Sequence, residues 1–263
     1  TGDRAQGVVI SGLTSIGGDN NSGLMISGFM NVTGNMASGL HFSGAANITG
    51  QSFGGLMASG LLNVVGEHMN GLQMAGIANI TASKLNGMQI ALCNYATQAR
   101  GLQIGLVNYY KEDMKGFQLG LVNANPDTRV QMMVYGGNAT PANIGVRFKN
   151  QLFYTILGIG SMYQGLNDKF SASASYRAGL SFTLYKGLSI SGDLGYQHIE
   201  AFDNKDEVIP KRLYALQARA NLEYQFTRKF GIFATGGYGL TRFYNKSSNY
   251  DKGAIIEAGI VLF

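Results

Sequence analysis

Residues 101–123 read GLQIGLVNYYKEDMKGFQLGLVN, two copies of one pattern 15 residues apart. Each copy opens on a glycine (Gly101, Gly116). A large apolar residue follows it, another sits two places further on (Leu102 and Ile104, Phe117 and Leu119), and an Asn closes the copy. The pattern extends back to the start of the chain. Gly7, Gly23, Gly39, Gly55, Gly71 and Gly87 are 16 residues apart, and Gly101 and Gly116 follow at 14 and 15. The earlier units read GLMISGFMNVTG, GLHFSGAANITG, GLMASGLLNVVG, GLQMAGIANITA and GMQIALCNY. A helical hairpin needs roughly 30 or more residues per repeat. A period half as long fits one flattened coil of a β-solenoid, with two short strands and two tight turns.

The columns of the repeat have physical readings. Successive side chains of a strand alternate in direction, and stacked coils set like residues about 4.8 Å apart. The alternation predicts that positions two and four of each unit (Leu24 and Ile26, Leu102 and Ile104) point inward. It puts the third column, with Met25 and Met57, outside. Glycine marks turns with positive φ or close backbone approach. Asn31, Asn47, Asn63, Asn79, Asn94, Asn108 and Asn123 form one column, and Gln73, Gln89, Gln103 and Gln118 another. Stacked amides bond to one another, as in cross-β structures. That structural reading is preferred to ligand binding. Asn31, Asn47 and Asn79 also sit in N-x-T sequons, which the repeat generates by itself, so glycosylation is not inferred.

The composition changes near residue 129. Of 28 Phe and Tyr residues, 7 lie in 1–129 and 21 in 130–263. Residues 1–129 carry six Lys/Arg and six Asp/Glu, so the net charge of +5 belongs to the remainder. Between Ala5 and Gly66 the one charged side chain is Asp19. Two units are expected, 1–129 and 130–263.

The second unit alternates polar and apolar over a dozen residues and more. In 172–184, Ser173, Ser175, Arg177, Gly179, Ser181 and Thr183 share one face. In 187–199 the polar face carries Ser189, Ser191, Asp193 and Gln197, and in 212–226 it carries Gln217, Arg219, Asn221, Glu223 and Gln225. Strands of soluble proteins average five or six residues, whereas a bilayer needs about 9–11 at a tilt. Short turns near 149–151, 185–187 and 226–229 alternate with longer loops near 164–171, 200–211 and 244–251. With two shorter strands near 130–138 and 143–149, the count is eight. That is the plan of a small outer-membrane barrel, with short turns at one end and long loops at the other.

Two resemblances accompany this reading. The final GAIIEAGIVLF, ending in Phe263, resembles the terminal strand of barrels of the OmpA/OmpX type, although Phe263 shares its parity with Glu257, which calls for a bulge or a non-standard end. The run GLQIGLVNYYKEDMKGFQLGLVN resembles the GLQIGLVN-type surface-repeat proteins of bacteria. That resemblance covers residues 70–125 well and the earlier coils loosely. It implies an architecture and a place in the bacterial envelope, with no activity attached.

No run of 18 apolar residues occurs, so no transmembrane helix is expected. The absence of a leader before Thr1 is the expectation for a mature exported chain. Cys93 falls in an apolar column and is read as a packed thiol. His41, His68 and His198 have no metal spacing. Arg177, Asp193, Arg219, Glu223 and Glu257 would point into the barrel and close its lumen as a salt-bridge network, with Arg219 facing Glu223 or Asp193. The alternatives are a transport pathway and a paired-carboxylate hydrolase on Glu223 and Glu257, which no motif supports.

The expectation is therefore an all-β chain, an N-terminal β-solenoid of 14–16-residue coils followed by an eight-stranded antiparallel transmembrane β-barrel. It is a non-enzymatic outer-membrane anchor and interaction module, without cofactor or nucleic acid. Its partners are membrane lipid and an envelope protein or glycan, or a second copy bound through the N-terminal coils. A small transport barrel gated by the solenoid and a soluble β-solenoid adhesin are the competing readings.

Overall fold

The computed structural model describes residues 4–150, 152–163, 166, 170–202, 212–245 and 248–262. They form two compact units, Thr1–Pro126 and Asp127–Phe263. The predicted terminal residue Phe263 lies outside the described residues.

The first unit is a parallel solenoid. Its strands are β1 (Arg4–Ser11), β2 (Thr14–Gly17), β3 (Asn20–Ser27), β4 (Met30–Thr33), β5 (Met36–Ser43), β6 (Ala46–Thr49), β7 (Ser52–Ser59), β8 (Leu62–Val65), β9 (His68–Ala75), β10 (Ala78–Ile90), β11 (Cys93–Ile104), β12 (Val107–Leu119) and β13 (Val122–Ala124). Odd strands stack on odd and even on even, each pair parallel and in the register of the repeat, with Gly7 beside Gly23 and Gly39 beside Gly55. From β10 on, one strand bends from the second sheet into the first, at register shifts such as that between Thr81 and Lys84. The leading glycine is required at its position. Gly39 has φ +104°, and a Cβ there would stand 2.2 Å from the carbonyl oxygen of Gly23.

The solenoid reverses the expected faces. The third column is the core: Met25, His41, Met57, Gln73, Gln89 and Gln103 are all buried. The columns of Leu40 and Phe42 point outward. Alternation fixes which residues share a face but not which face is inside. A polar column can occupy the inside because each amide is satisfied by the one stacked on it. Cys93 is likewise exposed, a correction to its reading as a packed thiol, because its column faces out of the second sheet.

The second unit is a closed antiparallel barrel of eight strands: β14 (Arg129–Gly137), β15 (Ala142–Asn150), β16 (Phe153–Ser161), β17 (Ser171–Tyr185), β18 (Leu188–Ala201), β19 (Arg212–Thr227), β20 (Phe230–Phe243) and β21 (Asn249–Leu262). Each pairs with the next, and β21 closes on β14 with Met132 opposite Leu262. The ends of β15, β17 and β19, followed by the starts of β16, β18 and β20, lie at one end of the barrel with the start of β14 and the end of β21; there 186–187 and 228–229 form two-residue turns. The other strand ends lie at the opposite end, where 138–141 join β14 to β15. The alternation is strict. Along β19, Leu213, Ala215, Gln217, Arg219, Asn221 and Glu223 are buried, while Leu216, Ala218, Ala220 and Leu222 are exposed. On β21 the inward parity of Ile255 and Glu257 continues to a buried Val261, without a register shift from Asp251 to Leu262.

Candidate functional site

Three arginines and three carboxylates fill the barrel lumen, all of them at most 7% exposed: Arg147, Arg177 and Arg219 with Asp193, Glu223 and Glu257. Inward parity on long strands carries them in. The width of an eight-stranded barrel, just enough for side chains, brings them into contact. Arg147 on β15 meets Glu223 on β19, Nη1 to Oε2 at 2.5 Å and Nη2 to Oε1 at 3.0 Å. Gln131 accepts from the same guanidinium at 2.7 and 3.0 Å. Arg177 holds Asp193 in a fork, Nε and Nη2 each at 2.8 Å from one carboxylate oxygen. Tyr154 Oη donates to Asp193 at 2.7 Å, as does Asn221 Nδ2 at 2.8 Å. Arg219 reaches Glu257, Nε to Oε2 at 3.2 Å, and Arg177 Nη1 approaches the same oxygen at 3.7 Å.

All five charges read from the sequence lie in this network, but the partners differ from those expected. Asp193 stands opposite Arg219 in the strand register, yet its carboxylate turns to Arg177 on the other neighbouring strand. Arg219 bonds Glu257, and Glu223 bonds Arg147. Arg147 escaped the sequence reading. Its signal was there, as a charge that with Lys149 alternates with Ile144, Val146 and Phe148. Register, shear and closure decide the partners, and none of these is written in a single strand.

Strands β15 and β19 stand four apart in the ring of eight, as do β17 and β21, so Arg147–Glu223 and Arg177–Glu257 span the lumen. Apolar side chains pack among them. Met133, Tyr135, Tyr154, Ile156, Phe233 and Val261 form one cluster; Tyr163, Leu166, Ile199, Leu213 and Ala215 form another toward the loop end. Polar recesses of about 450 Å³ at the loop end and 350 Å³ at the short-turn end flank the ion pairs. No group of three or more His, Cys, Asp and Glu suited to a metal occurs among the described residues.

The outer wall is apolar between two aromatic bands. Phe182, Ile190, Leu194, Leu216, Leu222 and Ile256 are 43–71% exposed. Tyr224, Phe226 and Phe230 pack ring on ring toward the short turns, at 4.9 and 5.7 Å. Tyr196, Tyr214 and Tyr244 do so toward the loops, at 6.1 and 5.1 Å. Tyr214 and Tyr224 are ten residues apart on β19. At about 3.4 Å per residue and a tilt of about 40°, that is roughly 26 Å, the height of the apolar band of a membrane barrel. A recess of about 950 Å³ lies on this wall beside outward-facing Val134, Ile144, Ile159 and Ala172.

In the solenoid both predicted ladders are continuous. The Asn amides run from Asn31 through Asn47, Asn63, Asn79, Asn94 and Asn108 to Asn123 at 2.8–3.1 Å. Those from Asn31 to Asn94 also donate to a carbonyl across the coil, as Asn47 does to Ala58 at 2.8 Å. Gln89, Gln103 and Gln118 each donate to the Gln of the preceding coil at 2.8 Å, starting at Gln73. Buried and fully engaged amides leave no room for a ligand, and the sequon side chains Asn31, Asn47 and Asn79 are equally enclosed. His41 interrupts the third column, its ring edge-on to Phe53 at 4.9 Å. Burial pushes its pKa from 6.5 down to about 4.

No family model and no curated protein matches the chain. Two solved structures align with 51% of it. One, from a study titled "De novo design of transmembrane beta-barrels", is 14% identical, has a TM-score of 0.33 and is covered over 91% of its length. The other, Neisserial surface protein A (NspA), is 8% identical, has a TM-score of 0.32 and is covered over 93%. Likenesses this slight decide nothing, and the character of the barrel rests on its own residues.

Proposed function

We propose that the chain is a bacterial outer-membrane anchor whose closed barrel holds the solenoid at the membrane as an interaction module, without enzymatic activity. The observation that carries the anchor is the aliphatic wall bounded by aromatic bands roughly 26 Å apart. Lumenal ion pairs that neutralise one another, with Arg147–Glu223 and Arg177–Glu257 bridging opposite strands, favour a structural plug over a transport path.

The interaction surface is the first coil. Among the described residues, β1 and β2 each pair on one side only. Val8, Ile10 and Leu13 around them are 67–72% exposed. Such edges accept further strands. The occupant on this reading is another envelope protein or a second copy of the chain. Both barrel termini share the short-turn end, which in barrels of this plan faces the periplasm, so the solenoid starts on that side. The resemblance of its repeats to bacterial surface-repeat proteins supports an envelope role.

Affinity purification of the full chain from native membranes in mild detergent tests the module. A stoichiometric envelope protein, or a stable dimer, is expected. A monomer with nothing attached, its first coils open to protease in native membranes, would contradict it.

A further inference from the structure

We propose that one long edge of the solenoid lies against the surface of a lipid bilayer. This rests on the anchor reading, which supplies the bilayer, and extends it from the barrel to the coils.

The edges of the solenoid differ in kind. At the turns after the leading-glycine strands stand Phe29, Leu61, Ile77, Leu92, Leu106 and Leu121, each 39–52% exposed, with the small, buried Ala45 as the exception. The adjoining outward columns are apolar too, with Leu40 at 46%, Phe117 at 73% and Leu119 at 52%. From Gly23 to Ala124, none of the nine residues that follow a leading glycine is charged. Every Lys, Arg, Asp and Glu from Asp19 to Lys115 stands ten or more residues after its leading glycine, in the part of the repeat that runs up to the next one. That opposite edge is polar and solvated, as in the Asn35–Asp19 hydrogen bond at 2.7 Å between exposed side chains. The result is a rod with an apolar edge and a charged edge. Over seven coil steps it runs about 34 Å.

A patch of this extent marks a contact with a protein or a membrane. Its composition favours lipid. The cores of protein interfaces are enriched in Tyr, Trp and Arg, which anchor in pockets. The turn column has none of these. It presents an apolar ridge of Leu, Ile and Phe29, interrupted at Ala45, with no polar group to specify a register. The tyrosines stand elsewhere. Tyr95 and Tyr109, stacked at 5.8 Å, sit in the outward column of the second strand that borders the charged edge. An amphipathic ring there has its apolar body toward the ridge and its hydroxyl toward water, as at a membrane interface. The segregation of charge from the apolar face is that of interfacial amphipathic helices, built here from stacked strands. Four residues, 125–128, join the last solenoid strand to the first barrel strand, so the coils are tethered at short range to the bilayer that holds the barrel.

The test uses the full chain with Cys93→Ser and one new cysteine at a time. Leu61→Cys and Leu106→Cys sample the ridge; Gln51→Cys and Glu67→Cys sample the opposite edge. Each is labelled with a polarity-sensitive fluorophore and reconstituted into phosphatidylcholine vesicles with and without nitroxide-bearing lipid. Insertion of the barrel is scored separately, by its heat-dependent migration in SDS. Blue-shifted emission at 61 and 106, mostly lost to the lipid nitroxide, is expected. Labels at 51 and 67 should stay water-like and respond to aqueous iodide instead. An inserted barrel whose ridge labels are as wet as those at 51 and 67 overturns this proposal alone. Ridge labels shielded from water but untouched by nitroxide lipid mean that a second copy covers the ridge, and also overturn it. Failure of the barrel to insert overturns the anchor reading and this one together.

Discussion

Arg147 and Glu223 meet across the lumen from strands four apart in a ring of eight, with each terminal guanidinium nitrogen donating to one carboxylate oxygen, at 2.5 and 3.0 Å. The contact ties opposite walls together through the space that a channel would need. Its energetics are asymmetric. Removing one partner strands the other charge in a site a few per cent exposed, whereas removing both does not.

Arg147→Ala should therefore destabilise the folded barrel by about 3–5 kcal/mol. The double change Arg147→Met with Glu223→Leu should restore most of that. The temperature at which the folded band disappears in SDS reads both. Planar-bilayer conductance should stay at background in the wild type and in both variants. A wild-type current that Arg147→Ala alters would favour transport.

In the solenoid, Asn63 is the comparable position. It accepts from Asn47 at 2.9 Å and donates to Asn79 at 3.0 Å and to the carbonyl of Met74 at 2.7 Å. Asn63→Ala leaves several buried polar groups unpaired, at about 1–3 kcal/mol each. Outward Ser38→Ala should change little. Protease resistance of the N-terminal unit in rising urea should separate the two variants by several kcal/mol.

His41 gives the solenoid a pH dependence. Its side chain is 1% exposed and its pKa in the folded state is about 4, against 6.5 unfolded. Above pH 6.5 the ring is neutral in both states. Between 6.5 and 4 the unfolded chain binds a proton that the folded chain does not, so stability falls as the pH falls and levels off below 4. The loss approaches about 3 kcal/mol. His41→Met, which repeats the flanking Met25 and Met57, should flatten the urea midpoint of this unit over that window. An unchanged slope would refute the assignment.

Much of this architecture was legible. The 16-residue spacing of glycines announced the coils, and the alternation along 212–226 announced both the strand and its inward face. Burial in the solenoid was not. Leu24 and Ile26 looked like core, but Met25 and its column face inward, beside the Asn ladder and the apolar column of Ala37, Phe53, Met69 and Leu85, which sets the opposite parity along the strand. Five of the six charged residues of the lumen network were identified, Arg147 was missed, and the partners were not foreseen. Asp193 and Arg219 face each other in the register yet bond elsewhere, and only the closed ring shows why.

The reversed faces make a sharp contrast. Met57 is fully buried and Leu61, four residues on, is 49% exposed. Met57→Lys would bury an unpaired charge and should abolish the protease-resistant N-terminal unit. Leu61→Lys should leave it folded. If both variants fold equally well, the inward assignment of the third column is wrong.

The central claim is that residues from Arg129 onward form a closed barrel that spans a membrane. SDS gel migration of the full protein extracted from native membranes, unheated and boiled, tests it most directly. Release only by detergent and a compact unheated band that shifts on boiling are expected. A protein that leaves the membrane fraction in detergent-free buffer as a stable monomer, and runs as one band whether heated or not, would contradict it.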